Sequence, residues 1–236
     1  MLRFVYSFLI YNTGILKTAT IRIQNWAEQA HQLFSPIKIL SDITIINPWA
    51  EYTPAKGETT IVINPGMAFG TGYHATTQLS AKLIEETISN IEIDNMCDVG
   101  SGSAILSIIA AKKGVKKIES VEIDTDARTS ATENIEANGC KGKIKLFSKI
   151  DQAKNKYDLV VANILFSIIM DLKNDLIDRV TDGGFLVLSG ITADEDERLI
   201  KAFEHPNLTL VKKEENDGWM GYIFKSKVQS SKSKGD

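Results

Sequence analysis

From about Asn90 onward, short β-branched, apolar runs alternate with longer segments of helical period, and that alternation allows few folds. It is the pattern of βαβ units, which build a parallel sheet with helices on its faces. The spacing predicts strands over residues 96–99, 117–123, 144–147, 157–162 and 185–189. It predicts helices over 105–113, 126–138, 167–180 and 193–204. The 157–162 run is almost wholly apolar, as a strand covered on both faces requires. Segments 208–213 and 219–225, separated by 214–218, read as an antiparallel hairpin at the sheet edge. The acidic run Asp194-Glu195-Asp196-Glu197 falls in the first turn of a helix, where negative charge opposes the positive end of the dipole, so it reads as a solvated cap and not a metal site.

Upstream the pattern is less regular. Residues 26–34 suit a short helix, and 43–48 and 59–63 suit strands leading into a glycine-rich segment that ends at Thr77. The expected organisation is a short N-terminal and linker region over 1–55, one α/β domain over 56–225, and a disordered Ser/Lys tail over 226–236. With 236 residues, 43% of them hydrophobic, the chain has material for one sizeable core. Its net charge of −3, with Lys and Arg spread along the chain, argues against direct nucleic-acid binding. The apolar opening from Met1 to Ile10 is too short to span a bilayer and reads as a strand or a disordered head, with a secretion signal as the lesser alternative. Cys97 and Cys140 have no paired spacing and suit buried free thiols in a reducing, cytoplasmic setting. Trp49, Trp219 and Tyr222 are assigned to the core.

The chemistry gathers where the predicted strands end. Asp98-Val99-Gly100-Ser101-Gly102 closes one strand and opens a helix, and glycines there let backbone approach a ligand closely. Ala104 breaks the G-x-G-x-x-G dinucleotide fingerprint. A carboxylate at Asp98 repels a pyrophosphate but suits the positive amino group and sulfonium of S-adenosyl-L-methionine. Its plainer role is that of a turn or capping residue. Glu122, 22 residues beyond Gly100, is placed to accept hydrogen bonds from ribose hydroxyls, or is simply an exposed strand-end charge. Asp124 reads as a helix-starting residue. Asn163 ends the fourth strand beside the glycine loop; its amide oxygen can accept from an amine and aim the nitrogen lone pair, or it can cap the next helix. Upstream, Phe69 can pack on the cofactor while Gly70 and Gly72 shape the loop and Thr76 or Thr77 starts a helix. His74 reads as a turn or capping residue more readily than as a base.

Four stretches carry a family resemblance. Asn64-Pro65-Gly66-Met67-Ala68-Phe69-Gly70-Thr71-Gly72-Tyr73-His74-Ala75-Thr76-Thr77, Asp98-Val99-Gly100-Ser101-Gly102-Ser103, Val161-Ala162-Asn163-Ile164-Leu165 and Leu188-Ser189-Gly190-Ile191 together resemble PrmA, the methyltransferases of ribosomal protein L11. The resemblance implies a Rossmann-like class I methyltransferase with a seven-stranded, mostly parallel sheet whose last strand is antiparallel; in this sequence a short N-terminal extension is expected before it. It implies cofactor contacts at Thr77, Gly100, Glu122 and Asn163; the chemistry of the residues themselves adds Phe69, Gly70, Asp98 and Gly102 to the expected cofactor site and makes Asn163 the expected catalytic residue. It also implies N-methylation of amino groups, lysine side chains or an N-terminal amine, on a protein substrate that is a ribosomal protein. Asn64, Glu122 and Ala104 stand where the family usually has Asp, Asp and Gly; Phe166 replaces a small residue and reads as core packing at a helix start. About 25 residues precede Trp26, less than the family's separate recognition domain, which leaves another protein's lysine or a small amine as alternative acceptors. A non-catalytic binding module and an NAD-dependent oxidoreductase are the alternatives of other classes; Asp98 and the broken fingerprint count against the latter. The oligomeric state is left open.

Overall fold

A computed structural model of the chain describes residues 35–64 and 69–228. The expectations for the apolar head, for a helix over 26–34 and for the tail from 229 onward lie outside the described residues.

The α/β pattern folds as its periodicity predicts. Seven strands form one sheet: β4 (Asn95–Val99), β5 (Lys117–Val121), β6 (Ile144–Phe147), β7 (Tyr157–Asn163), β8 (Val180–Thr192), β9 (Leu208–Asn216) and β10 (Trp219–Ser226). Their order is β6-β5-β4-β7-β8-β10-β9. The pairs from β6 to β8 are parallel, and β10 runs antiparallel to both of its neighbours. Chain order reverses between β4 and β7, so the carboxyl ends of these two strands open the crevice where sheets of this kind hold ligands.

Helices α1 (Ala75–Asn90), α2 (Ile105–Lys112) and α3 (Thr125–Ala137) belong with the first strands; α4 (Phe166–Asp171), α5 (Lys173–Asp178) and α6 (Asp196–Ala202) follow later. One apolar cluster joins Leu83, Ile84, Ile108 and Ile109 to Met96, Leu159 and Val187, and a second joins Val160, Leu186 and Tyr222 to Ile169, Leu176 and Leu199. The central strands are therefore buried on both faces, and their hydrophobic contribution follows from that double coverage. Cys97 and Cys140 are free and buried, and burial pushes the Cys97 thiol up to about 12, which leaves it inert.

Several local expectations are corrected. The single helix expected over 167–180 is two short helices that meet at Leu172, and the strand expected at Phe185 begins at Val180. Asp182-Gly183-Gly184 lies within that strand's span: Gly183 has φ +79, and a Cβ on Gly184 would stand 3.0 Å from the Asp158 carbonyl oxygen. The helix expected over 193–204 opens with a 3-10 turn at Ala193–Glu195, where the Glu195 carboxylate accepts from Thr192 N at 3.0 Å and Thr192 Oγ1 at 2.9 Å. That part of the acidic run is a cap. The sixteen-residue α1 has no counterpart in the predicted elements beyond its start, because its buried face mixes Thr and Ser with Leu and Ile and blurs the apolar stripe. Nor does β1 (Ile37–Leu40), which pairs with β2 (Ile43–Ile46) and, through it, joins β3 (Thr59–Val62) in a small separate sheet. Leu40, Ile43, Ile45 and Ile61 of that sheet share the first apolar cluster.

Candidate functional site

The glycine loop leaves β4 and is lashed to the end of β5: Gly100 N and Ser101 N donate to the Val121 carbonyl at 2.8 and 3.0 Å. Gly100 has φ +75, and a Cβ there would fall 2.2 Å from Ile164 Cγ2. Gly102 has φ +54, and its Cβ would fall 2.6 Å from the Phe69 carbonyl oxygen, which accepts from Ser103 N at 3.0 Å. These glycines serve packing of chain on chain as much as ligand approach. Ser103 Oγ donates to Gly70 O at 2.5 Å, so the segment before α1 is pinned across the loop. Ala104, where a third glycine would stand, keeps the left-handed conformation at φ 64 although its methyl group is buried.

Above the loop lies a cavity of about 650 Å³, lined by Thr77, Gly100, Gly102, Glu122 and Asn163 and by Phe69 and Gly70. Seven of the eight candidate residues thus meet in one place, carried there by four separate stretches of chain. The eighth, Asp98, is buried one residue before the lining Val99. Its Oδ2 accepts from Ser107 Oγ at 2.6 Å, and Ser107 contacts Ser120 at 2.7 Å. Burial pushes the Asp98 carboxyl up to about 6; the Ser107 bond opposes that rise and the nearby Glu122 charge adds to it.

Glu122 is itself engaged. One carboxylate oxygen accepts from Gly102 N and the other from Asp124 N, both at 2.9 Å, so this side chain also holds the loop in shape. Lone pairs remain on both oxygens for further donors. Asp124 caps α3 through Ala127 N at 2.8 Å, as its position before the helix suggests. Asn163 ends β7 opposite Ser189, and α4 starts at Phe166 with Leu165 in the cap position and no side-chain cap bond, so Asn163 is not a helix cap. Phe166 is buried against the second cluster with Arg198 4.7 Å over its ring, which bears out the core assignment.

Among the described residues, five buried side-chain polar atoms lack a hydrogen-bond partner, and four of them are here: Thr77 Oγ1, Asp98 Oδ1, Ser101 Oγ and Asn163 Oδ1. Native interiors leave few such atoms, and each costs about 1–3 kcal/mol unless something fills it. Their grouping marks a polar ligand's place.

His74 sits at the start of α1, where its Nδ1 accepts from Thr76 N at 3.3 Å and contacts Thr76 Oγ1 at 2.8 Å. That is the capping role read from the sequence. The bond from Thr76 N ties Nδ1 to the helix start. Its ring lies edge-on between Phe69, 5.4 Å away, and Trp219, 5.0 Å away. Trp219 lines the cavity and Trp49 is exposed, so the core assignment fails for both and holds for the fully buried Tyr222. The apolar lining also includes Ile123, Ile150 and Ile168, which the sequence reading missed. The available signal was position: Ile123, just after β5, and Ile168, on the helix that follows β7, are exposed and have no core to fill, whereas Ile150 is partly buried against the second cluster and gave no signal.

This fold, with a ligand cavity at the carboxyl ends of β4, β5 and β7, defines a Rossmann-like methyltransferase. Solved methyltransferases outside its immediate relatives share the architecture: an O-methyltransferase from Bacillus cereus, in complex with S-adenosylhomocysteine, superposes with a TM-score of 0.54 at 10% identity over 65% of this chain and 83% of that one. The chain belongs to the ribosomal protein L11 methyltransferase (PrmA) family, whose model matches residues 6–227. It is 34% identical over 222 residues to the ribosomal protein L11 methyltransferase of Geotalea uraniireducens, covering 89% of this chain and 70% of that protein. It is 35% identical over 221 residues to that of an Exiguobacterium species, covering 93% and 70%. The crystal structure of the ribosomal protein L11 methylase from Lactobacillus delbrueckii subsp. bulgaricus matches with a TM-score of 0.75 and 31% identity, over 82% of this chain and the whole of that one.

Proposed function

We propose that this chain uses S-adenosyl-L-methionine to methylate amino groups of ribosomal protein L11, lysine side chains first among them. The observation that carries the reading is the set of unpartnered buried atoms, Thr77 Oγ1, Asp98 Oδ1, Ser101 Oγ and Asn163 Oδ1, gathered around a cavity whose loop is shaped by Gly100 and Gly102. These residues fit the cofactor. Glu122 is placed to accept from ribose hydroxyls with the lone pairs its backbone bonds leave free; Thr77 and Ser101 offer hydroxyls to the polar methionine end; Asp98 supplies negative charge close to that end. When bound, S-adenosyl-L-methionine supplies an electrophilic methyl group on a positive sulfonium.

The chain's own work is to bind and aim. An acceptor ammonium has no lone pair, so the amine must lose its proton before it can attack. Asn163 Oδ1 accepts one N–H of the neutral amine and fixes the direction of the remaining lone pair; alignment of this kind supplies much of the rate in a transfer between two bound groups. The proton leaves to water or to a local acceptor; His74 has its Nδ1 engaged at the helix start.

Incubation with methyl-labelled S-adenosyl-L-methionine and purified L11 tests the reading. Label on L11 lysines is the expected result. Label on other proteins but never on L11 removes the substrate assignment and keeps methyl transfer; no label on any acceptor, with S-adenosylhomocysteine still bound, leaves a non-catalytic binding module.

A further inference from the structure

β3 is the outer strand of the small sheet, and among the described residues no strand pairs with its far edge. Backbone groups of an extended strand point alternately to its two edges: Ile63 N donates inward to the Ile46 carbonyl at 2.9 Å, so those of Val62 and Asn64 face outward. Two buried asparagines from the last turns of α3 meet them. Asn138, at the helix end, accepts from Val62 N at 2.9 Å through Oδ1 and donates to Val62 O at 2.7 Å through Nδ2, the pair of bonds that a neighbouring strand would make. One turn back, Asn134 Oδ1 accepts from Asn64 N at 2.9 Å. Four helical residues rise about 6 Å and two extended ones about 6.6 Å, so one helix face can serve alternate residues of a strand.

The two asparagines differ in their second bond. Asn138 turns both ends of its amide to Val62, whereas Asn134 Nδ2 crosses to the glycine loop and donates to Ser103 O at 3.0 Å. Ser103 in turn holds the segment before α1, its N donating to Phe69 O at 3.0 Å and its Oγ to Gly70 O at 2.5 Å. One amide thus joins the entry of that segment, at Asn64, to the residue that pins it at Phe69 and Gly70. Both stretches carry cavity wall: Gly100 and Gly102 from the loop, Phe69, Gly70 and Thr77 from the segment and the helix it opens. Asn134 does not line the cavity and is 1% exposed, so it acts only through the chain it holds. We propose that Asn134 is a positioning residue, which sets the glycine loop and the segment before α1 at a fixed separation so that both halves of the cofactor site are in place before binding. Prearrangement of this kind raises affinity because the ligand does not have to order its own site. This rests on the reading of the cavity as an S-adenosyl-L-methionine site.

Asn138 supplies the control for a merely structural role. Calorimetry at pH 8 compares the S-adenosylhomocysteine affinity of the full chain with those of Asn134→Ala, Asn134→Asp and Asn138→Ala, alongside their melting temperatures. An ionised Asp keeps an acceptor for Asn64 N and lacks the donor for Ser103 O. The expected result is a dissociation constant about tenfold higher in both Asn134 variants, the scale of one lost buried hydrogen bond, and within about twofold of the parent in Asn138→Ala, although both Ala variants melt below the parent. Parental affinity in Asn134→Ala or in Asn134→Asp overturns the proposal, as does an equal loss in Asn138→Ala, the signature of general loosening. Hydrogen exchange in the ligand-free chain gives a second readout: the Ser103 amide should exchange faster in Asn134→Asp than in Asn138→Ala, and equal rates overturn the coupling. Should Asn134→Ala not fold, Asn134→Asp carries both comparisons. A parent chain that binds no S-adenosylhomocysteine removes the cofactor reading and the proposal with it; a parent that binds it but labels no L11 removes only the substrate, and the affinities still decide the role of Asn134.

Discussion

The two ends of the parallel sheet treat their polar groups in opposite ways. At the amino ends of β4 and β7, Asp158 N donates to Asn95 Oδ1 at 2.7 Å, and Asp158 Oδ2 accepts from Asp94 N and Asn95 N at 3.0 and 3.2 Å. Tyr157 donates to Glu119, and Arg179 donates to the carbonyls of Ala153 and Ile150 and to Asp175. At the carboxyl ends, four buried polar atoms wait without partners and a buried carboxyl is held away from its ordinary range. One end is closed for stability, and the other carries an energetic cost that a ligand can relieve.

The comparison breaks first at Gly190. It has φ +86, and a Cβ there would fall 2.2 Å from the Ile164 carbonyl oxygen. Gly190→Ala should cost about 4 kcal/mol in stability, from overpacking and left-handed strain together, and should displace Asn163; urea unfolding measures the first and turnover the second. A variant of parental stability would show that the carboxyl edge yields more easily than its contacts imply.

Asp98→Asn should act in the other direction. The folded-state value is raised from 3.8 to about 6, so the folded protein holds this proton more tightly than the unfolded chain does. The associated stability is fully present below about pH 4 and is lost as the pH rises through about 6, a loss of about 3 kcal/mol. The free Asn variant should therefore melt at higher temperature than the parent at pH 8 and at nearly the same temperature at pH 4. It should also bind S-adenosyl-L-methionine more weakly, since the charge is gone. Equal melting temperatures at pH 8 would mean that the carboxyl is not penalised there.

Asn163→Ala sharpens the contrast further. Turnover should fall about 100-fold, the scale expected when an aligned nucleophile loses its guide, while S-adenosylhomocysteine affinity stays within a few-fold and thermal stability does not drop. The matching change at the closed end is Tyr157→Phe, which strips a hydrogen bond from the Glu119 carboxylate. It should cost about 1.5 kcal/mol in urea unfolding and leave S-adenosylhomocysteine affinity unchanged. If the stability loss falls on Asn163 and the activity loss on Tyr157, the division between the two ends is wrong.

The sequence displayed the strands of the large sheet well because β-branched runs bounded by turn residues depend on local chemistry. It hid α1, whose buried face carries Thr76, Thr77, Ser80 and Thr87 among the Leu and Ile residues; Ser80 and Thr87 return their hydroxyls to the helix backbone, which satisfies them without changing the polar look of the stripe. It hid the break at Leu172 as well, since neither proline nor glycine marks it. Within the site, Gly100, Glu122 and Asn163 were legible because Gly100 and Asn163 sit just past predicted strands, and Glu122 at the end of one, at the carboxyl edge. Trp219 was not, because a tryptophan beside a hairpin turn reads as core until the order of strands places it over the cavity. Glu122's grip on Gly102 N likewise required three-dimensional proximity that no spacing announces.

The residue after Asn163 is caught from two sides. Gly100 of the loop and Gly190 of β8 both approach Ile164 so closely that neither can carry a side chain: one added methyl group would strike its Cγ2, the other its carbonyl oxygen. Mutational drift at these three positions is therefore coupled. A larger residue at either glycine would have to be matched by a smaller side chain or a moved backbone at Ile164, and any such repair changes the height of the neighbouring amide. Much of the cavity wall can vary in evolution one position at a time, but this clasp can change only as a unit, and only by altering where the acceptor nitrogen is aimed.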